Sequence, residues 1–222
     1  AEDYYERWDE PLLVRPLRYL AALVAIFVPA LYIATTSFHP GILPTRLALY
    51  IAATRSRAPF PAFLEAFLMI VTMEFLREAG SRITGPLGSS IGIVGGLVIG
   101  QAAVDAGIVS PFMVIITAIT IMSIFMMPHI SLATPIRILI FTMMILASIL
   151  GFYGIMLGLI VVLIHLCKLS SFGVPFISPF GILGKYSLDL EDSIVKSPRK
   201  KITRRPYYGN PIDQTRRDKN NQ

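Results

Sequence analysis

The stretch GSSIG, residues 88–92, fits the G-x-S-x-G pattern of a serine hydrolase, with Ser90 in the nucleophile position. That chemistry needs a sharp strand-to-helix turn, and a histidine and a carboxylate brought to the serine. Ser90 is followed instead by fourteen uncharged residues of membrane character, up to Asp105. The three histidines, His39, His129 and His165, fall at or near the ends of apolar runs, with no acidic partner in sequence reach. The match is read as accidental, and no catalytic residue is expected. Cys167 is the single cysteine, so there is no disulfide framework, and no spaced Cys/His cluster points to zinc. Neither a metal nor a cofactor is expected.

The same segment carries a second pattern. Gly88, Gly92, Gly96 and Gly100 are each four apart, which strips one helix face of side chains. Lipid supplies no hydrophobic drive for association, so helices in it gain mostly from close contact, which glycine permits. A glycine is worse than alanine in a helix by about 1 kcal/mol. The six glycines between residues 85 and 100 therefore call for a tertiary reason. A tight pair within the chain and a subunit interface both remain open.

At 100° per residue, Ser90, Val94, Val98, Gln101 and Asp105 fall within about 80° of one another, with Leu97 at the edge. This face is polar at its ends and apolar in the middle, as in a pore-lining helix whose constriction dewets when closed. The plainer reading puts Ser90 and Asp105 at membrane boundaries, with the valines touching lipid or a neighbour.

Other charges are candidates for a pore mouth or for buried pairs. Glu65 and Glu74 can bind cations or be paired; Glu74 with Arg77 and Glu78 with Arg82 have helix-pairing spacings. A free carboxylate at mid-bilayer costs about 3 kcal/mol. The helix that carries these residues, over 59–80, is accordingly expected at the interface or as a re-entrant element. Arg137 reads either as a buried counter-charge or, after Thr134-Pro135, as the mark of a helix start.

These residues need elements to hold them, and composition decides which kind. Of the 222 residues, 54% are hydrophobic and 15% charged, whereas soluble domains are about 25% charged. The expected class is an all-α membrane protein with about four to five transmembrane helices, an interfacial or re-entrant amphipathic helix, and a basic cytoplasmic tail. Expected spans are 19–36, with a kink at Pro29; 83–104; 109–127, joined to the one before as an antiparallel hairpin; and one long tilted helix within 137–168, kinked near Gly151 to Gly154. Residues 37–60, with three prolines and three arginines, read as a structured interfacial loop. SFGVPFISPFG, from 171, reads as an ordered loop. The methionines read as lipid-facing or core fillers.

Ten Lys/Arg against five Asp/Glu lie from Lys185 onward, so +5 of the net +6 sits in the tail. After a membrane span this reads as a cytoplasmic anchor beside anionic lipid rather than a nucleic-acid site. The organisation expected is a cytoplasmic lead-in over 1–16, a transmembrane domain over 17–168, and a cytoplasmic loop and tail over 169–222. The N-terminal AEDYYERWDEP lacks a signal peptide's basic-then-apolar order. With no initiator Met, the chain is expected to be a segment of a longer protein.

Several stretches together resemble one family: EDYYERW (2–8), PALY (29–32), TTSFHPGILPT (35–45), PFPAFLEAFLM (59–69), EFLREAG (74–80), IGIVGGLVIGQAAVDAGIVSP (91–111) and SFGVPFISPF (171–180). They look like the membrane-embedded C-terminal half of GerA-type A subunits of spore germinant receptors. SRITGPLGSS (81–90) departs from the family's proline-containing pattern at the entrance to this helix. The resemblance implies a nutrient-gated channel of the spore inner membrane, multi-pass with both ends on the core side. It further implies a pentameric homo-oligomer that releases monovalent cations and works with a transporter-like B subunit and a lipoprotein C subunit. It carries no catalytic residue. Two other readings stay open: a non-conducting scaffold for the sensor subunit, and a paralogous sporulation-stage-V A-type protein.

Overall fold

The computed structural model describes residues 9–83, 86–128, 130–171 and 174–177, without the side chains of 9–11, 86–94, 130–131 and 174. Among the described residues there are seven α-helices: α1 (Asp9–Ser37), α2 (Thr45–Arg55), α3 (Ala62–Arg82), α4 (Pro86–Asp105), α5 (Pro111–Phe125), α6 (Ile130–Leu150) and α7 (Phe152–Lys168). Helices α1, over Leu12–Ser37, and α6, over Leu132–Leu150, are long and apolar enough to cross a membrane; α5 and α7 are shorter apolar helices.

The chain divides into two compact units. The smaller comprises residues 1–20 and 159–222. Its described part holds the N-terminal stretch of α1, the C-terminal stretch of α7, and a two-residue antiparallel ladder of Ser170–Ser171 with Val174–Pro175. The Phe176 N–H closes that ladder on the Leu169 carbonyl at 2.8 Å.

The larger unit, residues 21–158, holds the core. Helix α3 is its hub and touches α4, α5 and α6. It is a packed helix of this unit, and two of its carboxylates, Glu65 and Glu74, have partners outside it, on α2, at the start of α5 and on α6. The core is filled by Ile33, Met113, Ile140, Met143 and Met144, while Met122 and Met126 are exposed. Large apolar side chains also cover the outside, among them Leu23, Phe75, Ile115, Phe125, Ile138 and Ile149.

Sequence expectation and structure part at three places. Residues 37–60 are no mere loop: after Pro44, TRLALYIAATR has no helix breaker and forms α2. The expected long helix across 137–168 is two helices. Gly151, at φ +62, ends α6 in a left-handed conformation that L side chains rarely adopt. The α4–α5 turn is present, with Gly107 at φ +67 and Ser110 capping α5 on the Met113 N–H. Helix α4, however, packs chiefly on α3.

Glycine makes a close crossing that the expected stripe did not include. Gly154 and Gly158, one helical turn apart, let the start of α7 fold against α6. A Cβ on Gly154 would collide with the Leu146 carbonyl, and one on Gly158 would sit 2.6 Å from Met143 Sδ. Backbone cannot yield as a side-chain tip can. Gly154→Ala is therefore expected to cost about 1–3 kcal/mol as an overpacking substitution, read as a lowered thermal midpoint of the purified protein. Gly41→Ala, which meets open space, should leave the midpoint unchanged.

Candidate functional site

Four connections meet at one end of the larger unit. A Cβ on Gly151, between α6 and α7, would lie 3.1 Å from Phe38 after α1. One on Gly107, between α4 and α5, would lie 3.5 Å from the Arg57 carbonyl after α2. His39 packs edge-on against Phe152 with ring centroids 5.3 Å apart.

Beneath this end lies a buried carboxylate. Glu65, in the first turn of α3, is 0% exposed. Its Oε2 accepts from the Ser110 hydroxyl at 3.0 Å and the Ser110 N–H at 3.3 Å. Its Oε1 accepts from Arg55 Nε at 3.4 Å. Ser110 Oγ in turn lies 3.3 Å from the Tyr32 hydroxyl, and Tyr32 stacks on Phe112 at 5.8 Å. One polar network thus ties α1, α2, α3 and the start of α5. The position of Glu65 at the N-terminus of α3 adds favourable dipole interaction.

A second cluster joins α3 to α6. Arg77 grips Glu74 with two nitrogens, at 2.6 and 3.2 Å, and Arg137 Nη1 reaches the same carboxylate at 3.0 Å. Arg137 lies well inside α6, so it does not mark a helix start. Its Nε is buried without a hydrogen-bond partner among the described residues. Glu78 pairs with Arg82 at the exposed end of α3.

The third feature is the outward face of α4. On the packed side, a Cβ on Gly95 would meet Leu76 at 2.9 Å, one on Gly96 would meet Met73 at 3.6 Å, and one on Gly100 would meet Val114 at 3.4 Å. On the other side Leu97 and Val98 are 72% and 57% exposed. Gln101 and Asp105 are exposed too, with Gln101 Nε2 donating to Asp105 Oδ1 at 3.0 Å. At Gly88, Ser90, Gly92 and Val94 the structure describes the helical backbone of α4 alone, so the surroundings of these four positions lie outside the description. The GSSIG segment is therefore helical and follows a helix, not the strand a nucleophile turn requires.

Sequence reasoning singled out Glu65, Glu74 and Arg137 but missed Arg55 and Ser110 as partners of Glu65, and Tyr32 as a partner of Ser110. Those contacts span 10, 45 and 78 residues, beyond any local spacing rule. The Gly154–Gly158 spacing is the one local signal in the sequence for the α6–α7 crossing.

The family model described as Bacillus/Clostridium GerA spore germination protein matches residues 1–208. The chain is 44% identical over 219 residues to spore germination protein GerLA of Bacillus cereus, covering 99% of this chain and 44% of that protein. It is 45% identical to spore germination protein B1 of Bacillus subtilis (97% and 44% covered). It is 47% identical to the membrane protein YfkQ of the same organism, an uncharacterized protein (93% and 40% covered). The chain thus spans less than half the length of these relatives. No solved structure matches it.

Truncating Glu65 leaves the Ser110 groups and Arg55 without their acceptor. Glu65→Ala is expected to destabilise by about 3–5 kcal/mol, the usual cost of breaking a buried pair. Tyr32→Phe loses one neutral hydrogen bond and should cost about 1 kcal/mol. Thermal unfolding of the purified full-length protein measures both, and equal losses would contradict the network.

Proposed function

The chain belongs to the GerA family of spore germination proteins, and from that premise we propose that it is the membrane-embedded part of a nutrient-responsive receptor subunit. In this reading it forms an oligomeric channel that passes monovalent cations. The observation that carries the proposal is the division of α4. Glycines pack one side of it on α3 and α5, while Leu97, Val98, Gln101 and Asp105 stand outward.

Membrane embedding is supported by the large apolar side chains over the outside of the helices, since soluble monomers rarely expose such contiguous surface. Gathering the α1–α2, α4–α5 and α6–α7 connections at one end supports crossings by α1, α3, α4, α5, α6 and α7. An even number places both termini on one side. The basic tail makes that side the spore core, with the Glu65 network at the opposite face. The expected transmembrane domain thereby gains two crossings: α3, and α7 as a separate helix.

One copy supplies a single wall of a water column. A ring of copies, pentameric by the family resemblance, supplies the rest, with the transporter-like B subunit and the lipoprotein C subunit as partners. At the narrow point the outward Leu97 and Val98 make a constriction that excludes water, and so ions, until the ring widens. Gln101 and Asp105 offer oxygen ligands to an arriving cation at the outer mouth.

A hydroxyl at the constriction would hold water where valine repels it. Val98→Ser in the full-length protein is expected to raise resting potassium leak across reconstituted liposomes at least about tenfold, a barrier change of about 1.4 kcal/mol. Leak unchanged by Val98→Ser and by Leu97→Ser would favour the scaffold reading.

A further inference from the structure

A cavity of about 310 Å³ lies where α1 ends, lined by Thr36, Pro40, Leu43, Ala48, Ile51, Ala52, Arg55, Ser56, Ala58 and Phe60. Its volume is at the lower end of the range for small-molecule sites. Most of the lining is apolar, and its polar groups are few and chemically distinct. We propose that this cavity is a binding site for a small amphiphile carrying an anionic oxyacid group, with Arg55 as its anchor.

The donor and acceptor inventory supports this class. Arg55 Nε is engaged by Glu65 Oε1 at 3.4 Å. The two terminal guanidinium nitrogens hydrogen-bond no other described residue, and they are the donors left for an anion. A planar fork of this kind suits carboxylate or phosphate geometry. The two hydroxyls act oppositely. Thr36 Oγ1 donates to the Tyr32 carbonyl at 2.7 Å and Ser56 Oγ to the Ala53 carbonyl at 2.7 Å. Their protons are spent, so each offers lone pairs alone. A fitting ligand therefore carries a hydroxyl or ammonium beside its anionic group, and an apolar part that lies on Leu43, Ile51 and Phe60.

The site differs from the outward face of α4 and stands whether or not that face conducts. Arg55 nonetheless belongs to both the cavity and the Glu65 network. A bound anion shares the guanidinium with Glu65 and so adds a ligand to the clamp that holds α1, α2, α3 and α5 together.

The shared chemistry is found in two sources: the headgroup of an anionic phospholipid, and a free solute. Full-length protein is placed in nanodiscs of phosphatidylcholine, with phosphatidylglycerol added in one arm and glycerol 3-phosphate in another. Thermal midpoint and amide hydrogen exchange over residues 40–58 are followed in both. A raised midpoint with slower exchange over 40–58 is expected in at least one arm, and the responding arm identifies the source. Ala48→Leu fills the cavity without touching Glu65, and Arg55→Lys keeps the charge but loses the fork. Each is expected to raise the half-saturating concentration at least about tenfold, Arg55→Lys by loss of one charge-assisted hydrogen bond and Ala48→Leu by taking the space of the ligand's apolar part. Wild-type protein that shows no exchange protection over 40–58 in either arm overturns the proposal, and this reading needs no variant. Equal response of wild type and both variants overturns it as well.

Discussion

Taking an ionised carboxylate out of water costs several kcal/mol unless opposite charge and hydrogen-bond donors replace what water gave. Glu65 is fully buried, so the fold around it must deliver those replacements. It does so from two directions. Arg55 comes at the end of α2, and both the N–H and the hydroxyl of Ser110 come from the start of α5. The arrangement explains why a short helix exists in the segment after α1: it carries the cation. It also explains why α5 begins where it does, since Ser110 caps α5 on the Met113 N–H while serving Glu65.

From that anchored end the rest follows by packing. Helix α3 starts inside the network and continues as the hub that α4, α5 and α6 touch. Farther along it, Glu74 takes a second cross-link from Arg137 of α6. Glycines on α4 allow it to lie close to α3, and this closeness turns Leu97 and Val98 away from the unit. Two of the carboxylates of α3, Glu65 and Glu74, are thus matched by cations of other helices, while Glu78 pairs with Arg82 on the exposed end of α3 itself.

Much of this was legible in the sequence, for identifiable reasons. The start of α5 followed from Ser110-Pro111, and the Glu74–Arg77 and Glu78–Arg82 pairs from helix spacing, because caps and near-neighbour pairs are local. The mainly helical character followed from the long uncharged apolar runs. What failed was long-range or hinged on a single backbone angle. Gly151 looks like any glycine in an apolar run until its positive φ is known. The partners of Glu65 could not be chosen among distant residues without the fold. Among the glycines of α4 whose surroundings are described, the tightest contact falls at Gly95, next to the four-residue stripe and not on it. Residue periodicity shows which positions share a face, and neighbours decide where the faces touch.

The direct test of the clamp is a double-mutant cycle on Arg55 and Glu65 in the full-length protein. Arg55→Gln, Glu65→Gln and their combination would be compared by unfolding free energy in one detergent. If the two side chains act as one buried pair, the double variant loses less than the sum of the singles, by about 1 kcal/mol or more. Losses that simply add would show that Arg55 and Glu65 stabilise the bundle independently, and the account of its anchored end would fail.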